Sequence, residues 1–293
     1  MIFDTHAHYD DEAFNTDREE VLSGLSSRNI GNVVNIGVDI PTCEASLQLA
    51  EKYSFIYAAI GYHPSDTARF TDRPREEYLD WLYAHVFSDP ESALSRKKEL
   101  TALDETGKSP DINVATQPER NKRVVAIGEI GLDYHWSESD EENQNQQWWF
   151  RRQIALAKEV GLPIVVHSRE AAADTMDIIR EEHAADCGGI IHCYSYSAEQ
   201  AVQYVDMGFY IGVGGVVTFK NARRLIETVE AVPLDRIVLE TDCPYLAPEP
   251  YRGKRNDSGL IPYIAAEIAA IKCFSVDEVI RQTTINAERV YRI

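Results

Sequence analysis

Short apolar or β-branched runs recur along the chain, each followed by a stretch whose apolar residues return every three or four positions. The runs at 2–6, 32–38, 55–60, 123–128, 163–167, 189–192, 208–213 and 236–241 predict strands. Between them, 17–28, 42–53, 75–87, 141–160, 171–184, 197–206 and 221–230 predict helices, and 259–272 and 276–290 add two more near the C-terminal end. Alternation of this kind predicts parallel strands joined by crossover helices, and eight such units most often close into an α/β barrel of the TIM (β/α)8 type. The helix at 141–160 carries its own punctuation. Ser139 and Glu142 form a capping-box pattern, Phe150, Ile154 and Ala157 share one face, and Gly161-Leu162-Pro163 predicts the stop.

One interval breaks the rhythm. Residues 88–122 are rich in Ser, Lys, Glu, Asp and Asn and are too long for an ordinary barrel loop. They read as an insertion between strands 3 and 4, with a short helix around 91–103. A chain of 293 residues then fits one barrel unit spanning 1–293, large enough to bury a core without disulfides.

Composition narrows the chemistry. With 44% hydrophobic and 26% charged residues, wholesale disorder and collagen are excluded. The formal net charge is −19, so the bulk field repels polyanions and any phosphate-ester substrate needs cations at the site itself. Five scattered cysteines give no disulfide framework, which points to reduced thiols and a cytoplasmic location. The N-terminal residues lack the basic flank and apolar core of a signal peptide. No run approaches the ~20 apolar residues of a membrane helix, so no membrane association is expected.

The polar residues at the strand ends carry the functional signal. His6 and His8 lie two apart on the first strand, which puts both imidazoles on one face. Strand three runs into Gly61-Tyr62-His63-Pro64, strand four into Glu129, strand five into His167, strand six into His192 and strand eight into Asp242. In a barrel the C-terminal strand ends surround one mouth. Seven ligand-type residues from six strands therefore converge there. Imidazole with carboxylate suits divalent transition metals. The set exceeds one tetrahedral site with an open position, so two metals bridged by a carboxylate fit better. Such a pair holds the attacking and leaving oxygens of a phosphoryl displacement and lowers the pKa of water.

The ordered motifs His6-x-His8, GYHP at 61–64, GEIGLDY at 128–134, LPIVVHSRE at 162–170, His192-Cys193-x-Ser195 and ETDCPYLAPEPYRGKRN at 240–256 resemble the TatD family of metal-dependent deoxyribonucleases, part of the amidohydrolase-like TIM-barrel superfamily. The resemblance spans nearly the whole chain. It implies a first metal site of His6, His8 and Asp242, a bridging Glu129 and a second site completed by His167 and His192. It implies two divalent cations, with Zn2+, Mg2+ or Mn2+ as candidates. His63 would lie near the substrate phosphate, and Asp242 would serve as general base for water. The implied activity is exonucleolytic removal of nucleotides from DNA ends, 3′ to 5′ on single strands, with RNA as a second substrate class. The rival within the superfamily is hydrolysis of a lactone, amide or phosphotriester. A third alternative is a non-catalytic barrel.

Further residues extend this picture. Arg252, Lys254 and Arg255 form the densest basic cluster, and Arg169 follows His167 by two; all four are candidates for substrate phosphate. Strand alternation sends Cys193 and Cys243 away from the pocket into packing roles. Trp148 and Trp149 are expected in the core. Tyr134 and Tyr194 lie near enough to the mouth to stack on a base or to pack. His85, His135 and His183 fall outside the strand-end pattern. Tyr196 stands where the resembled family has glycine and is expected to narrow the pocket, and Asp257-Ser258-Gly259 departs from the family's usual Glu-Pro.

Overall fold

The computed structural model describes residues 1–106 and 118–293. Eight strands form one sheet in sequence order: β1 (Ile2–Ala7), β2 (Ile30–Ile36), β3 (Ile56–Ile60), β4 (Val124–Asp133), β5 (Ile164–Arg169), β6 (Gly189–Ile191), β7 (Tyr210–Val213) and β8 (Ile237–Leu239). Every adjacent pair is parallel. The sheet closes on itself just past β8, where Ala7 pairs with Cys243. There Asp242 N–H donates to the His6 carbonyl at 2.9 Å and His8 N–H to the Cys243 carbonyl at 2.8 Å. The chain is a (β/α)8 barrel, as its alternation predicts.

The outer helices are α1 (Arg18–Gly24), α2 (Ile40–Lys52), α3 (Arg75–His85), α4 (Pro90–Thr106), α5 (Asp140–Val160), α6 (Ala172–Glu181), α7 (Ala198–Asp206), α8 (Arg223–Ala231), α9 (Ile261–Lys272) and α10 (Val276–Tyr291). The predicted helix at 17–28 is broken after Gly24 into a separate 3-10 turn at Ser26–Arg28. At α5 the Ser139 hydroxyl accepts Glu142 N–H at 3.2 Å. The Glu142 carboxylate reaches Glu138 N–H instead of completing the box on Ser139. Gly161 ends that helix at φ 66, a left-handed position that glycine adopts without steric cost.

The predicted insertion begins as a helix, α4, longer than the 91–103 read from sequence. Its ends are drawn together by a short antiparallel bridge between Phe87 and Arg120, where Ser88 N–H donates to the Glu119 carbonyl at 2.8 Å. The segment 107–117 lies outside the described residues.

Two apolar layers hold the barrel. Phe3, Val34, Val125, Val165, Ile190, Tyr210 and Val238 fill the interior, and Ala287, Val290 and Tyr291 of α10 pack against them from below. The Tyr291 hydroxyl donates to the Thr5 carbonyl at 2.8 Å. The lower end is thus plugged, and polar side chains are left to the opposite mouth. The outer layer, between strands and helices, is built from residues such as Trp149, Phe150 and Ile154, all nearly inaccessible.

Candidate metal centre

Two breaks in strand register aim the central side chains. On β1 Phe3 joins the interior core, while Asp4 bonds Ser258 and Thr241 at 2.7 Å each. Strict alternation would turn His6 the same way as Asp4. The pairing with β2 slips between Asp4 and Ala7, and His6 turns into the mouth, as bulges commonly re-aim a residue. On β4 the pairing with β5 slips between Ile127 and Ile130, and Glu129 sits in that break.

The strand β4 also runs five residues past its predicted end. Its last residues pair with β5 as far as Asp133 with Arg169, and all ten are buried. Gly131 (φ 144) permits this, because a Cβ there would strike the His167 carbonyl. The strand predicted to end at 128 continues because the glycines of the GEIGLD run are close-approach positions inside it.

Glu129 is the hub, 4% exposed. Its Oε2 lies 3.3 Å from His6 Nε2. Its Oε1 lies 2.8 Å from His167 Nδ1, 3.7 Å from His63 Nε2 and 3.9 Å from His192 Nε2. Asp242 Oδ1 faces His8 Nε2 at 3.4 Å, His6 Nε2 at 3.8 Å and His192 Nε2 at 3.9 Å. All seven sequence-predicted residues therefore meet at one mouth. His6 and His192 stack with ring centroids 3.4 Å apart.

The donor set fits divalent cations. Tetrahedral ligands at ~2.0–2.1 Å from an ion stand roughly 3.3 Å from one another. His6 Nε2 and His8 Nε2 are 3.1 Å apart, close to that edge. The outer nitrogens are committed elsewhere: His8 Nδ1 donates to the Ile36 carbonyl at 3.0 Å, and His192 Nδ1 to Glu240 Oε2 at 3.0 Å. That assignment turns the Nε2 lone pairs of both rings inward, the arrangement metal-ligating histidines adopt. Groups that could hold an ion include His6, His8 and Asp242 on one side and His63, Asp133 and His167 on the other.

The electrostatics match. Burial opposes charge on His8, His167 and His192, but the facing carboxylates outweigh it and each is pushed up to about 9. Burial and the neighbouring His167 push His63 down to about 3. Burial opposes charge on Glu129 too, yet the surrounding imidazoles hold it well below the usual carboxylate range. Metal-free, the site binds protons in place of cations.

The mouth opens into a pocket of about 740 Å3. A family model described as TatD related DNase matches residues 3–292 of this chain. The chain belongs to the TatD family. It is 43% identical over 293 residues to the uncharacterized metal-dependent hydrolase YabD of Bacillus subtilis (strain 168), covering 100% of both. It is 31% identical over 297 residues to the uncharacterized metal-dependent hydrolase TatD of Mycobacterium tuberculosis (strain ATCC 25618 / H37Rv), covering 99% of this chain and 97% of the relative. The crystal structure of YjjV, a TatD homolog from Escherichia coli K12, superposes with a TM-score of 0.79 at 26% identity over 100% of this chain and 98% of that one. A variant organophosphorus hydrolase from Deinococcus radiodurans shares the fold at a TM-score of 0.61 and 15% identity, over 99% of this chain and 92% of that one.

Sequence reading of this TatD chain missed two carboxylates. Asp133 Oδ2 lies 3.2 Å from His167 Nε2. Glu240 binds both His192 and, through Oε1, the Cys193 N–H at 2.7 Å. Their signal lay inside the GEIGLDY and ETD motifs, at positions a strand-end rule passes over. Gly212 makes room for Glu240, since a Cβ there would strike its carboxylate.

Several expectations need correction. Cys193 does not turn away: its backbone is left-handed (φ 45), which ends the strand alternation, and the residue lines the pocket with a sulfur near His192 and Asp242. Cys243 is fully buried, as expected. Of the basic candidates only Arg169 lines the pocket. Arg255 is held by Asp17 in a two-pronged pair at 2.6 and 2.7 Å. Arg252 lies over the Phe219 ring at 4.3 Å, and neither it nor the exposed Lys254 lines the pocket. Tyr196 does not narrow the pocket; its hydroxyl bonds Ser168 and Ala171 N–H instead. Tyr134 bonds Asp174 and Gln147, and Tyr194 bonds the Ser197 carbonyl, so both pack. Trp149 is core, whereas Trp148 is partly buried beneath Arg75.

Proposed function

We propose that this metal-dependent hydrolase is a phosphodiesterase that shortens DNA from its ends, single strands first, with two divalent cations (Zn2+, Mg2+ or Mn2+) and with RNA as a second substrate class. The observation that carries the reading is the division of Glu129: one oxygen faces His6, the other faces His167, His63 and His192. A carboxylate so placed bridges two sets of donors. His6, His8 and Asp242 would hold one cation, and His167 and His192 the other, with Glu129 between them. Such ions supply Lewis-acid polarisation of the phosphoryl oxygens and a water of lowered pKa.

The chain's own residues account for orientation and proton transfer. Asp242 is ionised, held below its usual range by the surrounding imidazoles despite burial, and accepts the proton of the attacking water. His63 Nδ1 accepts Ser65 N–H at 3.2 Å, which places its proton on Nε2. Neutral at physiological pH, it donates from Nε2 to a phosphate oxygen. Arg169 neutralises a second oxygen from the rim. The description TatD related DNase of the matching family model supports the DNA reading.

One observation favours the rival. Asp10, Asp11, Glu12 and Asp66 also line the pocket, and this acidic wall suits an uncharged substrate such as a lactone or amide. A substrate panel tests the two: labelled single-stranded oligonucleotide, p-nitrophenyl phosphodiesters, lactones and dipeptides, each with Mg2+, Mn2+ or Zn2+. Laddered shortening of the oligonucleotide is expected. Lactone or dipeptide turnover with an intact oligonucleotide overturns the nuclease reading.

A further inference from the structure

The pocket rim is electrically lopsided. Its β1 and β3 loops present Asp10, Asp11, Glu12 and Asp66, and its one Lys or Arg among the described residues is Arg169, at the end of β5. A polyanionic strand is repelled along the first side and admitted along the second. On that second side stands Trp136, in the loop after β4, 66% exposed. An indole so exposed leaves most of its apolar surface in water, and among the described residues it joins neither apolar cluster. The Arg169 guanidinium lies 5.5 Å from the centre of its ring. The next residue, Glu170, forms no ion pair with Arg169; its Oε1 meets His135 Nδ1 at 2.7 Å. The His135 ring meets Trp136 edge-on at 4.6 Å, which steadies the indole.

We infer that Trp136 and Arg169 form a nucleotide subsite: the open face of the indole stacks on a base while the guanidinium meets the phosphate linked to it through one sugar. The inference rests on the nuclease reading and says which wall the strand follows. Stacking on an aromatic face tolerates any base, so the subsite supplies grip without sequence preference.

The test compares the metal-loaded wild type with Trp136→Ala and Trp136→Phe on three substrates: a short single-stranded oligonucleotide, the same oligonucleotide with abasic sites next to its end, and bis(p-nitrophenyl) phosphate. The loss of one base stack corresponds to roughly fivefold to a hundredfold in binding. Trp136→Ala is expected to raise KM for the normal oligonucleotide by that factor, with kcat little changed. It should leave KM on the small diester unaltered, and Trp136→Phe should restore most of the loss. The abasic substrate should not distinguish the three proteins. Cleavage of the oligonucleotide with KM unchanged in Trp136→Ala overturns the subsite alone. Absence of oligonucleotide cleavage by the wild type, with turnover of another ester, overturns the nuclease reading and the subsite with it.

Discussion

Glu240→Gln is an isosteric change that separates orientation of a ligand from the ligand itself. Glu240 is 1% exposed and does not line the pocket. Its two oxygens accept from different donors, Cys193 N–H at 2.7 Å and His192 Nδ1–H at 3.0 Å. A carboxamide offers one acceptor and one NH2 donor. If its oxygen keeps Cys193, the NH2 faces His192 and drives the imidazole to the opposite tautomer. The ring then directs an N–H, not a lone pair, at Glu129 and Asp242. If the amide flips, a buried Cys193 N–H is left unpaired, at ~1–3 kcal/mol. Either way the inward lone pair of His192 is compromised. Loss of such a supporting contact typically lowers metal affinity or activity 10–100-fold, equivalent to ~1.4–2.7 kcal/mol. Competition with a chromogenic chelator measures affinity at each site, and thermal melting checks the fold. The expected result is a 10–100-fold loss at one of two sites, with the metal-free protein still folded. Unaltered affinity at both sites refutes the assignment of His192 as a metal ligand oriented by Glu240.

Other outcomes follow from the same geometry. Glu129→Ala should abolish hydrolysis of every ester tested while near-normal circular dichroism is retained, because the lesion is confined to the mouth; persisting turnover would indicate a different site. Metal binding should release protons in weakly buffered solution at pH 7.5, since His8, His167 and His192 are pushed up to about 9 when carboxylates alone face them. Folded pKa values raised above 6.5 mean that these groups stabilise the metal-free protein below pH 6.5 and lose that contribution as pH rises through 9. The melting-temperature gap between metal-loaded and metal-free protein should therefore widen over that window, and a narrowing gap would contradict the proton-for-metal exchange. Arg255→Ala should leave KM unchanged, because its guanidinium is engaged with Asp17; a large rise in KM would return it to the substrate path.

The barrel was legible because strands buried on both faces read as continuous apolar runs and helices as a 3.6-residue period. The seven strand-end residues were legible for a related reason: a His or carboxylate that ends an apolar run has only the mouth to face. What escaped notice depended on backbone irregularity. The slips beside His6 and Glu129 and the left-handed turn at Cys193 change the direction of a side chain without changing residue type. Asp133 was hidden because glycines that allow close approach of β5 look like turn residues. Arg255 looked like a phosphate ligand because its partner, Asp17, is far away in sequence, and Trp136 gave no periodic signal at all.

Anomalous scattering at the metal edge, from crystals grown with Mn2+ or Zn2+, tests the central claim most directly. Two peaks are expected on either side of the Glu129 carboxylate, one against His6, His8 and Asp242 and one against His167 and His192. A map with no peak at that mouth, or with ions bound only by other residues, contradicts the account.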